Sequence, residues 1–170
     1  IATGCPVIVK PAGTTPLSCR DFVALVHEAG LPEAWCQSFI PESTELAERL
    51  ATDRRIAFLS FIGSAKVGWY LHAKLAHGAR SALEHGGAAP AIVDRSADLD
   101  KIIEPLVKGG YYHAGQVCVS TQRIFVHREI VDAFSERLVA RVEALRTGDP
   151  VLKDTEVGPL IQPREADRVA

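Results

Sequence analysis

The chain has 170 residues, 47% of them hydrophobic and 24% charged, which is enough apolar material for an ordinary core and unlike the composition of a disordered protein. The formal net charge of −2 gives no electrostatic reason to expect nucleic acid or an anionic membrane surface as a partner. No apolar run approaches the roughly 20 residues of a membrane-spanning helix and the N-terminus lacks signal-peptide features, so we expect a cytoplasmic protein.

Strand and helix patterns alternate through the first half of the chain. Short apolar runs predict buried strands, and amphipathic segments between them predict helices. Thr15 and Pro16 are placed to open the first helix as its N-cap and first helical residue. The pattern predicts, in order, a strand at 5–10, a helix at 16–29, a strand at 35–40, a helix at 42–52 and a strand at 56–61.

The alternation continues in the second half. Gly63 and Ser64 open a helix to residue 77, a later helix stops at Gly109-Gly110, and the residues after Asp149 are predicted as loop. The remaining predicted elements are strands at 81–84, 89–93 and 121–126 and helices starting at 96–98 and spanning 129–146. Because parallel neighbours need long crossovers, this order predicts an α/β fold, a parallel sheet with helices on both faces.

The cysteines show no zinc-ligand spacing. None of the four belongs to a C-x-x-C pair, so we expect no metal site. Cys5, Cys19 and Cys36 are predicted to be buried; Cys5 and Cys36 lie in apolar runs, where a thiol behaves as a small hydrophobe. Cys118 follows the small and polar residues Ala114-Gly115-Gln116 and is the candidate nucleophile, with structural burial as the alternative. A helix start at this point would favour its thiolate and supply an oxyanion donor.

Two residues at predicted strand ends are candidates for chemistry. Lys10 ends the first strand, where ligands of open α/β sheets collect, and its ammonium could reach ribose hydroxyls or a phosphate; the alternative is a solvated lysine. Glu84 also ends a strand, and the following His85-Gly86-Gly87 leaves room around it. A poorly solvated carboxylate makes a competent general base, and the alternative is a salt-bridged glutamate.

The segment from Phe61 to Gly68 passes from a strand into a helix. Gly63 permits the turn, Ser64 adds a hydroxyl, and the N–H groups of a helix start favour phosphate. An ordinary strand-to-helix turn is the alternative. The dinucleotide fingerprint G-x-G-x-x-G is absent, so any nucleotide would bind differently from the standard Rossmann mode.

The order of these motifs resembles the aldehyde dehydrogenase superfamily. The family pattern V-x-K-P with T-P, then F-T-G-S-x-x-V-G, L-E-L-G-G, G-Q-x-C and T-x-x-G-P-L-I is matched, in this order, by Val9-Lys10-Pro11 with Thr15-Pro16, Phe61 to Gly68, Leu83 to Gly87, Gly115 to Cys118 and Thr155 to Ile161. The resemblance covers essentially the whole chain. It implies a Rossmann-like cofactor-binding portion at residues 1–83 and the start of a catalytic domain at 84–170, both incomplete relative to the family.

The resemblance also implies the reaction. Cys118 would attack the aldehyde carbon to give a thiohemiacetal, hydride would pass to NAD or NADP to leave a thioester, and Glu84 would activate the hydrolytic water. The positions implied to contact the cofactor are Lys10 at the adenosine ribose, Ser64 at the pyrophosphate, Gly63 and Val67 on the adenosine side, and Gly13, Phe61, His85 and Gly86. The implied substrate is a small aldehyde, and the full-length protein would form a homo-oligomer.

Several departures from the family pattern modify these expectations. Gly13 stands where NAD-preferring members often carry Glu, which removes a charge that would repel a 2′-phosphate and makes NADP use compatible with the sequence. His85 replaces a common Leu, and His113 replaces a common Asn. The family's upstream oxyanion-hole asparagine and its downstream E-x-F-G-P motif have no counterpart, so we expect a central piece of a longer enzyme. The remaining alternatives are a relative that passes the acyl group to coenzyme A and a catalytically silent nucleotide-binding fragment.

Overall fold

A computed structural model describes all residues from 1 to 170 and confirms the α/β class. The chain divides into two compact units, one formed by Ile1–Phe61 with Lys66–Leu83 and the other by Ile62–Ala65 with Glu84–Ala170. The cofactor-binding and catalytic roles assigned to residues 1–83 and 84–170 stay predictions. No helix combines the length and the apolar composition that crossing a bilayer would require.

The elements of the first half alternate as the sequence predicts. They are β1 (Val7–Val9), α1 (Leu17–Glu28), β2 (Cys36–Ser38), α2 (Thr44–Ala51), β3 (Phe58–Ile62), α3 (Ala65–His72) and β4 (Arg80–Glu84). Strands β1 and β2 pair in parallel, with Val7 opposite Cys36, while β3 pairs with β4. Cys36 is fully buried, and its carbonyl oxygen accepts a hydrogen bond from Nε2 of His27 on α1 at 2.7 Å, so α1 packs onto this strand pair.

The second half contains a parallel strand pair and three helices. Its elements are β5 (Ala91–Val93), α4 (Leu99–Tyr111), β6 (Ile124–Val126), α5 (Val131–Glu143) and α6 (Pro163–Val169). Val93 of β5, Ile103 and Val107 of α4 and Phe134 of α5 form the buried core, so one face of the β5–β6 pair packs against both helices.

The structure corrects several local predictions. Pro16, not Thr15, is the N-cap of α1, because the Pro16 carbonyl already accepts the first intrahelical bond from Arg20 N–H at 3.1 Å. Helix α3 ends at His72 rather than residue 77, and residues 163–169, predicted as loop, form α6 with Pro163 at its start. Cys5 is exposed because it precedes β1, whereas Cys36 is buried as predicted and Cys19 is half-buried.

Gly109 and Gly110 do not end α4, which runs on to Tyr111. A Cβ on Gly109 would lie 3.1 Å from Oγ1 of Thr121, and one on Gly110 would lie 3.4 Å from the Thr121 carbonyl oxygen. Thr121 also donates its N–H to the Gly109 carbonyl at 3.1 Å. The two glycines therefore allow Thr121 to pack closely against α4, and they do not terminate the helix.

Candidate active site

Glu84 is the last residue of β4, and its position is fixed through the backbone. Its carbonyl oxygen accepts a hydrogen bond from the Gly63 N–H at 3.0 Å. The side chain is exposed and forms no ion pair, which excludes the salt-bridged alternative in this chain. This exposure contradicts the expectation of a poorly solvated carboxylate.

Cys118 lies in a turn and is exposed. The Ser120 N–H donates to the Val117 carbonyl at 3.0 Å and closes this turn, and Ser120 itself is only 1% exposed. The turn is not a helix start, so the oxyanion donor expected from a helix N-terminus is not provided at this point. The thiol is nevertheless open to a substrate, which excludes structural burial of Cys118.

The nucleophile follows a run of left-handed backbone. His113 (φ 51°), Ala114 (φ 55°) and Gly115 (φ 71°) are consecutive, and only Tyr112 separates them from the end of α4. Only glycine adopts this conformation without cost, and an ordinary residue held there stores about 1–3 kcal/mol of strain. A Cβ on Gly115 would also lie 3.3 Å from the Gly110 carbonyl oxygen, so the run folds back against the end of α4.

Gln116 ties this run to a distant segment. Its Nε2 donates to the His113 carbonyl at 2.9 Å, and its Oε1 accepts from the Ile161 N–H at 2.9 Å. The side chain thus holds the strained run and the 161 segment together, two residues before the thiol. This gives a structural reason for the glutamine of the G-Q-x-C pattern.

Gly87 and Gln122 bring the segments of Glu84 and Cys118 together. A Cβ on Gly87 would lie 2.5 Å from the Cys118 carbonyl oxygen, so only glycine permits this approach of the two backbones. Gln122 donates its Nε2 to the Gly87 carbonyl at 2.8 Å and its N–H to the Ala88 carbonyl at 3.1 Å. The loop that follows the base candidate is therefore in direct contact with the segment of the nucleophile candidate.

The sequence prediction missed Gln122, and it named Gly87 only as part of a motif. Gly87 could have been found, since the second glycine of a diglycine after a strand often marks a close backbone approach. Gln122 carries no such signal, because its partner lies 35 residues away in the chain.

The predicted cofactor positions are distributed over both units. Lys10, directly after β1, is exposed and donates from Nζ to the carbonyl of its neighbour Pro11 at 2.6 Å; Gly13 is also exposed. Phe61 and Val67 belong to the same unit. Ser64, Gly63, His85 and Gly86 belong to the other, where the Gly63 N–H contacts the Glu84 carbonyl.

The chemistry of the residues around α3 fits a nucleotide pyrophosphate. Helix α3 begins at Ala65, directly after Ser64, and its first turn contains no acidic residue. Lys66 adds a positive charge to the first turn, where the N–H groups of a helix start already favour an anion. The ammonium of Lys10 at a strand end has donors suited to ribose hydroxyls. Both sets of groups suit a dinucleotide such as NAD or NADP.

Comparison with known proteins places these residues in a family. Residues 1–170 match the model of the aldehyde dehydrogenase family. The chain is 36% identical over 170 residues to a 3-sulfolactaldehyde dehydrogenase of Priestia aryabhattai, covering 99% of this chain and 35% of that protein, and 36% identical over 171 residues to betaine aldehyde dehydrogenase 2 of Rhizobium meliloti, covering 100% and 35%.

Solved structures agree. The betaine aldehyde dehydrogenase of Staphylococcus aureus in complex with NAD+ superposes with a TM-score of 0.92 at 31% identity, over 99% of this chain and 34% of that one. Glyceraldehyde-3-phosphate dehydrogenase of Methanocaldococcus jannaschii complexed with NADP gives 0.90 at 34% identity, over 99% and 38%. The chain spans about a third of the length of the curated relatives it matches. Since the family match covers every residue, the chain belongs to the aldehyde dehydrogenase family.

Proposed function

We propose that the protein oxidises a small-molecule aldehyde to a carboxylic acid with NAD+ or NADP+, with Cys118 as nucleophile and Glu84 as general base. The observation that carries this proposal is the contact between the loops of the two residues, made by Gly87 against the Cys118 carbonyl and by Gln122. A base that activates water for attack on a thioester must lie near the sulfur that carries the acyl group.

The chain's own residues divide the work into two stages. The Cys118 thiolate attacks the aldehyde carbon and forms a C–S bond, giving a thiohemiacetal. Bound NAD(P)+ would accept the hydride released when the C–H bond of the thiohemiacetal breaks, and a thioester would remain on Cys118. Glu84 then takes a proton from water while the water oxygen attacks the thioester carbon, and the C–S bond breaks to release the acid and the thiolate. A covalent intermediate replaces one difficult step with two easier ones.

The same proposal assigns the cofactor positions. Lys10 would hold the adenosine ribose, and Ser64 with the start of α3 would hold the pyrophosphate, in keeping with the absence of acidic residues from that first turn. Phe61, Gly63 and Val67 would line the adenosine side, and His85 and Gly86 would lie beside Glu84. Gly13 places no carboxylate near the ribose, which allows a 2′-phosphate. A homo-oligomeric assembly belongs to the same proposal, and a cytoplasmic location stays a prediction from the sequence.

Substitution of the two catalytic candidates in the full-length protein tests the proposal. We expect Cys118→Ser to lower the rate of aldehyde oxidation, with NAD and with NADP, by at least about a thousandfold, because the serine hydroxyl is a far weaker nucleophile. Glu84→Gln should still form the thioester and release one equivalent of reduced cofactor, but hydrolyse slowly. Initial rates and the pre-steady-state release of NAD(P)H measure both effects.

The outcomes separate the alternatives. Retention of the oxidation rate by Cys118→Ser would contradict the proposal. Formation of an acyl-coenzyme A product, seen only when coenzyme A is added, would identify an acyl-transferring enzyme. Calorimetric binding of NAD or NADP without turnover of any aldehyde would favour a silent nucleotide-binding protein.

A further inference from the structure

The loop between Glu84 and β5 (residues 85–90, here called the base loop) is held to the nucleophile side of the site by Gln122. We propose that Gln122 is a positioning residue for Glu84, which sets the location of the general base relative to the thioester on Cys118. This inference rests on the function proposed above. It adds a residue that has no reacting atom of its own and that the family motifs quoted above do not contain.

Gln122 donates hydrogen bonds to two adjacent carbonyl groups of the base loop. Its backbone N–H donates to Ala88 at 3.1 Å, and its side-chain Nε2 donates to Gly87 at 2.8 Å. The backbone bond is available to any residue except proline at this position, whereas the side-chain bond requires a donor of this length. Substitution of the side chain therefore loosens the base loop without releasing it.

The position of Glu84 depends on this loop because its carboxylate has no ion pair to orient it. One side of the residue is fixed by the strand, through the bond from the Gly63 N–H to the Glu84 carbonyl at 3.0 Å. The chain then continues through the half-buried His85 into Gly86 and Gly87, and glycine restricts the backbone least of all residues. The bond from Gln122 to the Gly87 carbonyl at 2.8 Å restrains the chain three residues after the base.

The nucleophile has separate supports. The Cys118 turn is closed by the bond from Ser120 N–H to the Val117 carbonyl at 3.0 Å, and the run before it is bridged by the side chain of Gln116. The Gln122 side chain donates toward the base loop and not toward this turn. Loss of its donor should therefore slow hydrolysis of the thioester more than formation of the thioester.

The test uses two variants of the full-length protein. Gln122→Met keeps the length of the side chain and removes both polar groups, and Gln122→Glu keeps the shape but replaces the N–H donor with an acceptor. Stopped-flow measurement of NAD(P)H release gives the rate of the burst, which reports acylation and hydride transfer, and the steady-state rate, which reports hydrolysis when that step is slow. We expect the ratio of burst rate to steady-state rate to rise about tenfold in both variants, the size of effect that loss of one hydrogen bond produces.

Hydroxylamine distinguishes a positioning role from a general loss of structure. It attacks the thioester carbon directly, releasing a hydroxamate and the Cys118 thiolate without a base. We expect it to restore the steady-state rate of both variants toward the burst rate. A general structural defect would instead lower the burst amplitude and leave no step for hydroxylamine to bypass, which would overturn the inference, as would an unchanged ratio in both variants.

Failure of this inference and failure of the proposed function give different results. If Cys118→Ser abolishes oxidation while both Gln122 variants behave as wild type, the function stands and the role of Gln122 is wrong. If Cys118→Ser remains active, the function itself is wrong.

Discussion

Gly87 lies where the backbone after Glu84 closely approaches the backbone of Cys118. A Cβ at this position would lie 2.5 Å from the Cys118 carbonyl oxygen, a backbone atom that cannot rotate away. We predict that Gly87→Ala lowers the free energy of unfolding by about 1–3 kcal/mol, the usual cost of overpacking. Thermal unfolding should show this as a fall of several degrees in Tm, by roughly 2–4 °C per kcal/mol.

Gly86→Ala is the matched control for stability. A Cβ at Gly86 meets nothing within 4 Å, and its backbone does not lie in the left-handed region. The Tm of this variant should stay within about a degree of wild type, since substitutions without such a clash usually change stability little. Equal falls in Tm for both variants would contradict the assigned role of Gly87.

At this scale the sequence proposes candidate residues but does not describe their surroundings. Glu84 and Cys118 stand in short motifs whose neighbours are small, so both could be named from a few adjacent letters. Their exposure could not, because burial depends on which distant side chains cover a group. The hydrogen bond from Gln122 to Gly87 could not be predicted either, because it joins residues that are far apart in the chain.

Arg141 on α5 connects three segments of the second unit. Its guanidinium donates to Glu104 of α4 at 2.6 Å and 3.0 Å, and to Glu156 at 2.6 Å. These hydrogen bonds hold the pKa of both carboxyl groups below the ordinary value of 4.5, and they raise the pKa of Arg141. The one guanidinium of Arg141 therefore links α5 both to α4 and to the 147–157 segment.

The pH dependence of stability follows from the direction of these shifts. A carboxyl group whose pKa is lower in the folded state stabilises fully above its unfolded pKa, about 4.5, and loses that contribution as pH falls through the folded value. We predict that Arg141→Met lowers Tm by roughly 2–4 °C at pH 7. The difference from wild type should become smaller as the pH is lowered from 7 to 3, because the carboxyl groups become protonated as the pH falls through their lowered pKa values.

Arg137→Met is the comparison variant for Arg141. Arg137 lies one turn earlier on α5 and pairs with a single carboxylate, Asp100 of α4. Thermal scans at pH 7 should therefore show a smaller fall in Tm for Arg137→Met than for Arg141→Met. A penalty for Arg141→Met that is the same at pH 3 and pH 7 would show that its contribution is not electrostatic.

Element order was predictable because apolar periodicity is a local property, but element ends were not. Gly109 and Gly110 have the usual composition of a helix stop, yet the packing of Thr121 against them keeps them helical. Thr15 is a residue type often found at N-caps, yet the N-cap of α1 is Pro16. In each case a tertiary or backbone contact outweighs the side-chain preference.

On the scale of the whole molecule, one face of the β5–β6 pair is apolar and uncovered. Ile92 and Phe125 are opposite each other in the parallel register and are 85% and 58% exposed, while their neighbour Val93 is buried on the other face. Parallel strands normally have both faces covered. The three two-stranded pairs also leave strand edges without partners.

We predict that the 170-residue chain binds the dye ANS, because the dye reports accessible apolar surface. Ile92→Lys should lower the fluorescence by placing a charge in the middle of the exposed face. Val151→Lys is the control, since Val151 is 86% exposed but lies in a turn away from any strand. Equal effects of the two changes would show that the β5–β6 face is not the dye site.

The fold class and the family were accessible from the sequence, since both rest on order and spacing along one chain. Which strands pair was not, because β3 could join β2 or β4 with equal local propensity, and the structure pairs it with β4.

The left-handed run of His113, Ala114 and Gly115 places backbone strain close to the proposed nucleophile. Glycine at position 113 or 114 would relax the backbone there, and the protein would gain resistance to heat. The same change would make the position of the Cys118 sulfur less well defined, because the segment before it would become more flexible. Under the proposed function, selection for thermal stability and selection for catalytic rate would therefore favour different residues at positions 113 and 114.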